Sequence, residues 1–173
     1  YEVPTADKPC FLELKKKYKS IVFKRRISAP YTDIKSYMAG EDSGIENSQI
    51  LKEIDYFRRF YGCLKPAADI FYDREAFYDR TDSSVRLTFD SNALARGWDL
   101  ELENGIYGER VLENGLYILE VKTSGAMPMW IAEMLNEFKI YPISFSKYGT
   151  AYKNGLLTRE NKKIITLGGE YCA

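Results

Sequence analysis

Two runs of alternating side chains, FLELKKK at residues 11–17 and IVFKRRI at residues 21–27, decide the fold. Successive side chains of a strand point to opposite faces, so each run places two of its basic residues on one face and the third, Lys16 or Arg25, on the other. If the runs pair as a hairpin, they form a dense cationic wall. The basic residues expected to share it are Lys15, Lys17, Lys24 and Arg26. Cations this close repel one another, which indicates a polyanion partner, although a solvated basic face is the alternative interpretation.

Composition narrows the class of protein. A chain of 173 residues can bury a substantial core, and 45% hydrophobic residues exclude a disordered chain. The formal net charge is zero, but residues 15–26 hold seven Lys or Arg and no acid, whereas residues 41–55 hold five acids and one Lys. This segregation favours one focused anion site over a general nucleic-acid surface.

The absence of His excludes several kinds of site from this chain. A Ser-His-Asp triad, a Cys-His dyad and His-ligated zinc all require it. The odd set Cys10, Cys63 and Cys172 contains no C-x-x-C pair, which favours reduced thiols. With no apolar run of membrane-spanning length and no visible signal peptide, we expect a cytoplasmic protein without a membrane segment.

Periodicity predicts a mixed α+β chain. We expect helices from about residue 29 to Ala39, over Ser48–Tyr61 and 128–138, and a short helix or turn over 144–153. Strands are expected near 10–17, 20–28, 67–80, 85–90, 91–103, 106–112 and 116–122.

Charged residues recur at alternating positions in at least five of these strands, and the opposite faces are mostly apolar. The recurring residues are Glu13 and Lys15, Lys24 and Arg26, Arg74, Arg86, and Glu120 and Lys122. An ordinary half-solvated sheet would show such a pattern. The bias toward Arg and Lys instead favours an antiparallel barrel whose charged lumen binds a polyanion and whose apolar exterior is covered by helices.

Six segments, in order along residues 10–150, resemble the polyphosphate polymerase (VTC-type) domain of the triphosphate tunnel metalloenzyme (CYTH-like) superfamily. They are Phe11-Leu12-Glu13-Leu14-Lys15, Val22-Phe23-Lys24-Arg25-Arg26, Tyr72-Asp73-Arg74-Glu75-Ala76-Phe77, Val85-Arg86-Leu87-Thr88-Phe89-Asp90, Leu119-Glu120-Val121-Lys122 and Ser144-Phe145-Ser146-Lys147-Tyr148. The bacterial stand-alone members are the most similar. The resemblance implies an eight-stranded tunnel with helices outside, in which the γ-phosphate of ATP passes to a growing inorganic polyphosphate chain.

The resemblance also implies roles for individual residues. The basic residues expected to contact ATP, triphosphate or polyphosphate are Lys15, Lys24, Arg26, Arg74, Arg86, Lys122 and Lys147, with Ser146 beside the last. Of these, Lys15, Arg74, Arg86 and Lys147 are expected to act in catalysis. Glu120 matches the carboxylate that holds Mn²⁺ or Mg²⁺, and Glu13 is either a second metal ligand or a charge-balancing partner.

Structural roles remain open for the same residues. The alternative for Arg74 and Arg86 is a structural ion pair with an acid such as Asp73 or Asp90, and the alternative for Glu120 is a salt bridge to Lys15 or Arg26 of the hairpin.

In the family, further tunnel strands precede the matching segments. We therefore expect residues 1–155 to be an N-terminally incomplete tunnel domain, residues 156–173 to be a tail, and the chain alone to have little polymerase activity.

Three other functions remain in view. A tripolyphosphate, nucleoside-triphosphate or thiamine-triphosphate hydrolase would use the same tunnel with water as the acceptor. A non-catalytic polyphosphate-binding module would use the basic wall without a metal. A nucleic-acid reader is disfavoured because the net charge is zero and no base-stacking motif is present.

Overall fold

A computed structural model describes residues 3–19, 21–62 and 64–156. These residues form two antiparallel sheets with four α-helices and a short 3₁₀ helix, which confirms the α+β class. They divide into two compact units, one built from residues 3–66 with 102–105 and the other from 67–101 with 106–156.

The first unit is built on a hairpin of β1 (Pro9–Tyr18) and β2 (Ile21–Pro30). The antiparallel register sets Lys15 opposite Lys24 and Glu13 opposite Arg26, which confirms the hairpin and its shared charged face. The cationic wall of the sequence prediction is therefore a real surface of this unit.

Two helices cover the other face of the hairpin. They are α1 (Tyr31–Ala39), which ends at Gly40 with a positive φ of 84°, and α2 (Gln49–Tyr61), which Ser48 caps by accepting a hydrogen bond from the Leu51 amide at 3.2 Å. A small core of Leu14, Tyr37 and Ile54 lies between them and the hairpin. The apolar half of each strand is thus used for packing, which leaves the charged half open.

The second unit contains a four-stranded sheet in which β4 (Arg86–Arg96) is central. One edge of β4 pairs with β3 (Asp69–Tyr78). The other edge pairs with β6 (Ile118–Lys122) along its first half and with β5 (Glu109–Arg110) near its end. The prediction of separate strands at 85–90 and 91–103 was wrong, because one continuous eleven-residue strand runs from the first segment into the first half of the second and ends at Arg96.

A β-bulge explains how one strand accommodates both patterns. The register with β3 shifts between Phe71 and Asp73, and Asn92 adopts a positive φ of 49°. An extra residue reverses the alternation of the strand, so Ala93 and Ala95 lie on the same face as Asp90. Without the bulge, that face would instead have continued with residues 92, 94 and 96.

Helix α4 (Lys147–Lys153) packs on this mixed face. Its Ala151 is fully buried against Ala93 and Ala95. The sequence pattern predicted helices only on apolar faces, whereas α4 covers the apolar end of the face that also carries the charges. The remaining helix, α3 (Met129–Glu137), buries Ile131.

One position beside this core requires glycine because two backbone segments approach each other closely there. A Cβ at Gly108 would lie 2.6 Å from the carbonyl oxygen of Ala95, so any side chain would force β5 away from β4.

Other expectations are resolved only in part. Neither sheet closes into a barrel among the described residues, so the eight-stranded tunnel stays a prediction. No helix in that part of the chain has the length and apolar character to cross a membrane. Cys10 is a free thiol, while Cys63, Cys172 and the predicted tail beyond residue 156 lie outside the described residues.

Arg96 is a fully buried cation of β4. It donates to the Asp69 carboxylate at 2.7 Å and to the Glu101 carbonyl at 3.0 Å, and its guanidinium stacks on the rings of Phe71 and Tyr107. It lies on the face of the sheet opposite to Arg74 and Asp90, and these contacts are all within the protein, so its role is structural.

We expect Arg96→Met to lower the free energy of unfolding by about 3–5 kcal/mol, because the substitution leaves the buried Asp69 carboxylate without its guanidinium partner. Denaturant unfolding followed by circular dichroism measures this loss. The matched control is Arg110→Met, which removes an exposed guanidinium from β5. A loss no larger than that of the control would contradict the structural role.

Candidate functional site

Cross-strand register brings a row of charged side chains together on one face of the four-stranded sheet. Each residue of β4 in this row faces a partner on a neighbouring strand. The facing pairs are Asp90 with Arg74, Thr88 with Glu120, and Arg86 with Lys122. The alternation in sequence predicted these faces, and pairing through β4 makes them one surface.

Asp90 is the buried centre of this row, with 2% of its surface exposed. Its carboxylate accepts two hydrogen bonds from Arg74, Nε to Oδ1 at 2.6 Å and Nη2 to Oδ2 at 2.7 Å. The Lys147 ammonium, at the start of α4, also donates to Oδ2. One carboxylate thus holds two cations that the sequence predicted as phosphate ligands.

The protonation of this cluster follows from its contacts. Burial alone would raise the pKa of Asp90, but the hydrogen bonds from Arg74 and Lys147 outweigh it and hold the pKa below its ordinary value. The hydrogen bond to Asp90 raises the pKa of Arg74 in turn. Asp90 and Arg74 are therefore both charged at neutral pH.

The aromatic ring of Tyr72 makes cation–π contacts with both Arg74 and Lys147. The Tyr72 ring centroid lies 5.1 Å from the Arg74 guanidinium carbon and 4.2 Å from the Lys147 nitrogen. Both distances are within the range of cation–π attraction. Tyr72 belongs to the same face as Arg74, two residues earlier on β3, and also touches the apolar core.

Arg86 lies at the other end of the row and has no ion-pair partner in the described part of the chain. Its guanidinium sits 5.3 Å from the Tyr78 ring centroid, and Lys122 is the residue directly opposite on β6. Its Nε is buried without a hydrogen-bond acceptor among the described residues, as is the hydroxyl of Thr88. Buried donors rarely lack partners, so this end of the row has unused binding capacity.

Glu120 is the accessible carboxylate of the row, with 43% of its side chain exposed. It lies 3.1 Å from the Lys122 nitrogen and 3.8 Å from Arg74. Among the described residues, no three carboxylates or thiols gather closely enough to form a metal site on their own. A lone carboxylate suits Mg²⁺ or Mn²⁺ only if phosphate oxygens and water complete the shell, which is the usual arrangement for Mg²⁺ with phosphate substrates.

The charged face of the hairpin is organised in a similar way. Glu13 lies 2.6 Å from the Lys24 nitrogen and 3.3 Å from that of Lys15. Burial acts to raise the pKa of Glu13, yet the two lysines hold it below its ordinary value. The Arg26 guanidinium stacks on Phe11 at 4.4 Å. Lys15 and Lys24 remain 67% and 49% exposed, so both are open to a ligand.

Ser146 is the N-cap of α4, where its hydroxyl accepts a hydrogen bond from the Gly149 amide at 3.1 Å. This contact fixes the start of the helix and hence the origin of the Lys147 side chain. The predicted role of Ser146 in phosphate binding stays a prediction.

The predicted site residues thus fall into two groups, one in each compact unit. The second unit holds Arg74, Arg86, Glu120, Lys122, Ser146 and Lys147, and the hairpin unit holds Glu13, Lys15, Lys24 and Arg26. Sequence reasoning gave Asp90 only as an alternative ion-pair partner, and it missed Thr88 and Tyr72. Alternation with Arg86 and Arg74 places both on the charged face, a signal that their neutral side chains obscured.

Substitution of Glu13 distinguishes its two predicted roles, as a metal ligand or as a partner that balances the charge of the lysines. Because it neutralises two lysines, we expect Glu13→Gln to bind tripolyphosphate about fivefold more tightly without divalent metal, which corresponds to ~1 kcal/mol for one unit charge at 4 Å in water. Isothermal titration calorimetry at low salt measures the change.

The matched control is Glu53→Gln, which removes the partner of Arg25 on the other face of the hairpin. Weaker binding by Glu13→Gln that appears only when Mn²⁺ is present would instead identify a metal ligand.

Comparison with known proteins bears on the family of the chain. No curated protein matches the chain. A protein-family model, described as the VTC domain, matches residues 1–155, which is most of the chain. With this match, and with the charged strands in the order that the resemblance requires, the chain belongs to the VTC domain family.

Proposed function

We propose that this protein is a metal-dependent polyphosphate polymerase that transfers the γ-phosphate of ATP to inorganic polyphosphate. Membership of the VTC domain family supports a polyphosphate-related function. The observation that carries the proposal is the placement of like charges directly opposite each other, Arg86 against Lys122 in one sheet and Lys15 against Lys24 in the other.

Facing cations destabilise a sheet by repulsion. Glu13 and Glu120 offset part of this repulsion, and a bound anion would offset the rest. A linear polyanion carries a negative charge on every phosphate and offsets several cations at once. ATP and inorganic polyphosphate both have this property.

Arg86 is the strongest single phosphate ligand in this proposal. A guanidinium presents parallel N–H groups that match two phosphate oxygens, and a buried Nε without an acceptor gains most from such a contact. Lys122, opposite it, supplies a point charge on a flexible stem.

The proposed step needs positioning and charge neutralisation rather than a nucleophilic side chain, which agrees with a chain that lacks His. A terminal oxygen of the phosphate chain forms a bond to the γ-phosphorus of ATP, and the bond from that phosphorus to the bridging oxygen of the β-phosphate breaks, which releases ADP. Arg74 and Lys147 hold the phosphate groups in line, and Arg86 offsets the charge that accumulates on the transferring group.

Mn²⁺ or Mg²⁺ is part of the proposal. Glu120 would hold it, and the bound ion would neutralise charge on the phosphate oxygens. Glu120 pairs with Lys122 and Arg74, so its carboxylate lies beside the cations that would bind those phosphates.

The product of the complete native gene, incubated with ATP and Mn²⁺, should form long phosphate chains visible by gel and ³¹P NMR. We expect Arg86→Ala and Glu120→Ala each to lower the rate by about 10²–10³, the usual cost of removing one preorganised charge-stabilising group.

Two variants outside the row serve as matched controls. Glu75→Ala removes an exposed carboxylate of β3 from the opposite face, and Arg110→Ala removes an exposed guanidinium of β5. Both should retain wild-type rates. Free phosphate without chains would reassign the protein as a triphosphate hydrolase, and binding of polyphosphate without turnover would leave a binding module.

A further inference from the structure

We infer that Asp90 is a positioning residue, which sets the Arg74 guanidinium and the Lys147 ammonium at a fixed separation for one phosphate group. The inference rests on the proposed function and adds to it an acidic residue whose partners are the cations rather than a metal. It stands on the contacts of a carboxylate that is almost completely buried.

The hydrogen bonds determine which parts of Arg74 stay available. Asp90 takes Nε and one N–H of Nη2, so the guanidinium is held in its plane by two bonds. The remaining N–H groups, on Nη1 and the outer side of Nη2, are left for a phosphate. Rotation of the guanidinium away from this orientation would break both bonds to Asp90.

A shared oxygen fixes the second cation relative to the first. Oδ2 of Asp90 accepts from Nη2 of Arg74 and from Lys147. Two donors on one oxygen must lie close to each other, within the span of a single phosphate. Their mutual repulsion is offset by the carboxylate between them and by the Tyr72 ring that both approach.

The charge of Asp90 is constant under working conditions. Its two cationic partners keep its pKa below the ordinary value, so the carboxylate stays ionised throughout the neutral range. The carboxylate also competes with a phosphate for the same two cations. It should therefore weaken equilibrium binding of a polyanion while it improves the geometry of the bound state.

These opposite effects on affinity and on turnover distinguish a positioning role from a purely structural one. Asp90→Asn keeps the size and one acceptor oxygen but removes the charge. We expect tripolyphosphate to bind as tightly as to the wild type or more tightly, and the turnover number with ATP to fall about 10²-fold, the cost of a small misplacement of a catalytic group. A purely structural role would reduce affinity, turnover and the thermal midpoint together.

The test uses the product of the complete native gene, with binding measured by calorimetry and turnover by ³¹P NMR. A double-mutant cycle with Lys147→Met adds a readout that does not depend on stability. Because Asp90 acts partly through Lys147 and partly through Arg74, the loss of turnover in the double variant should be smaller than the losses of the two single variants combined. The matched control is Glu75→Gln, which removes the charge of an exposed carboxylate of β3 on the other face.

The outcomes are distinguishable from failure of the proposed function. Wild-type turnover in Asp90→Asn, or additive losses in the cycle, would overturn the positioning role and leave the polymerase proposal intact. A wild type that binds tripolyphosphate without turning over ATP, or that does neither, would overturn the proposed function and the inference with it.

Discussion

The extra residue at Asn92 is the constraint on which the second unit depends. Asn tolerates a left-handed backbone better than most residues, and here that conformation reverses the alternation of β4 halfway along its length. The charged half and the apolar half of the strand consequently share a face. Helix α4 uses both halves, because Ala151 packs on the apolar end while Lys147 reaches Asp90. The core thus anchors the helix that delivers a cation to the charged row.

Carboxylates in both sheets hold cations in pairs. Glu13 lies between two lysines, Asp90 between an arginine and a lysine, and Glu120 near an arginine and a lysine. An exposed ion pair contributes little stability, so the contacts of Glu13 and Glu120 with their exposed lysines matter more for geometry than for folding. The row on the four-stranded sheet keeps four cations against two carboxylates, and the surplus attracts an anion. Arg86 carries much of that surplus because it has no carboxylate partner among the described residues.

The sequence alone predicted the features of the fold that depend on strict alternation of side chains along a strand. The faces of the hairpin and of Arg86, Glu120 and Lys122 follow from a period of two, and the register confirms them. The bulge was not predictable, because one inserted residue leaves no periodic signal and its position depends on pairing with β3. The contact of Lys147 with Asp90 joins residues 57 positions apart, and no local pattern encodes such a distance. Closure of the sheets into a tunnel is likewise a long-range property and stays a prediction.

A polymerase that extends a polyanion must hold the phosphates in place for reaction and must also let the product chain move. The carboxylates beside the cations bear on both requirements. A wall of uncompensated cations would bind the product so tightly that the chain could not advance by one phosphate per cycle. In the proposed enzyme, partial neutralisation by Glu13 in one unit and by Asp90 in the other would lower the attraction without removing the cations that orient the reacting groups. Rigid placement then becomes the source of rate, because binding energy that acts equally on ground and transition states raises affinity without accelerating the chemical step. In the proposed enzyme, the acids of the charged faces would therefore be as important to turnover as the bases, through the geometry and mobility of the bound chain.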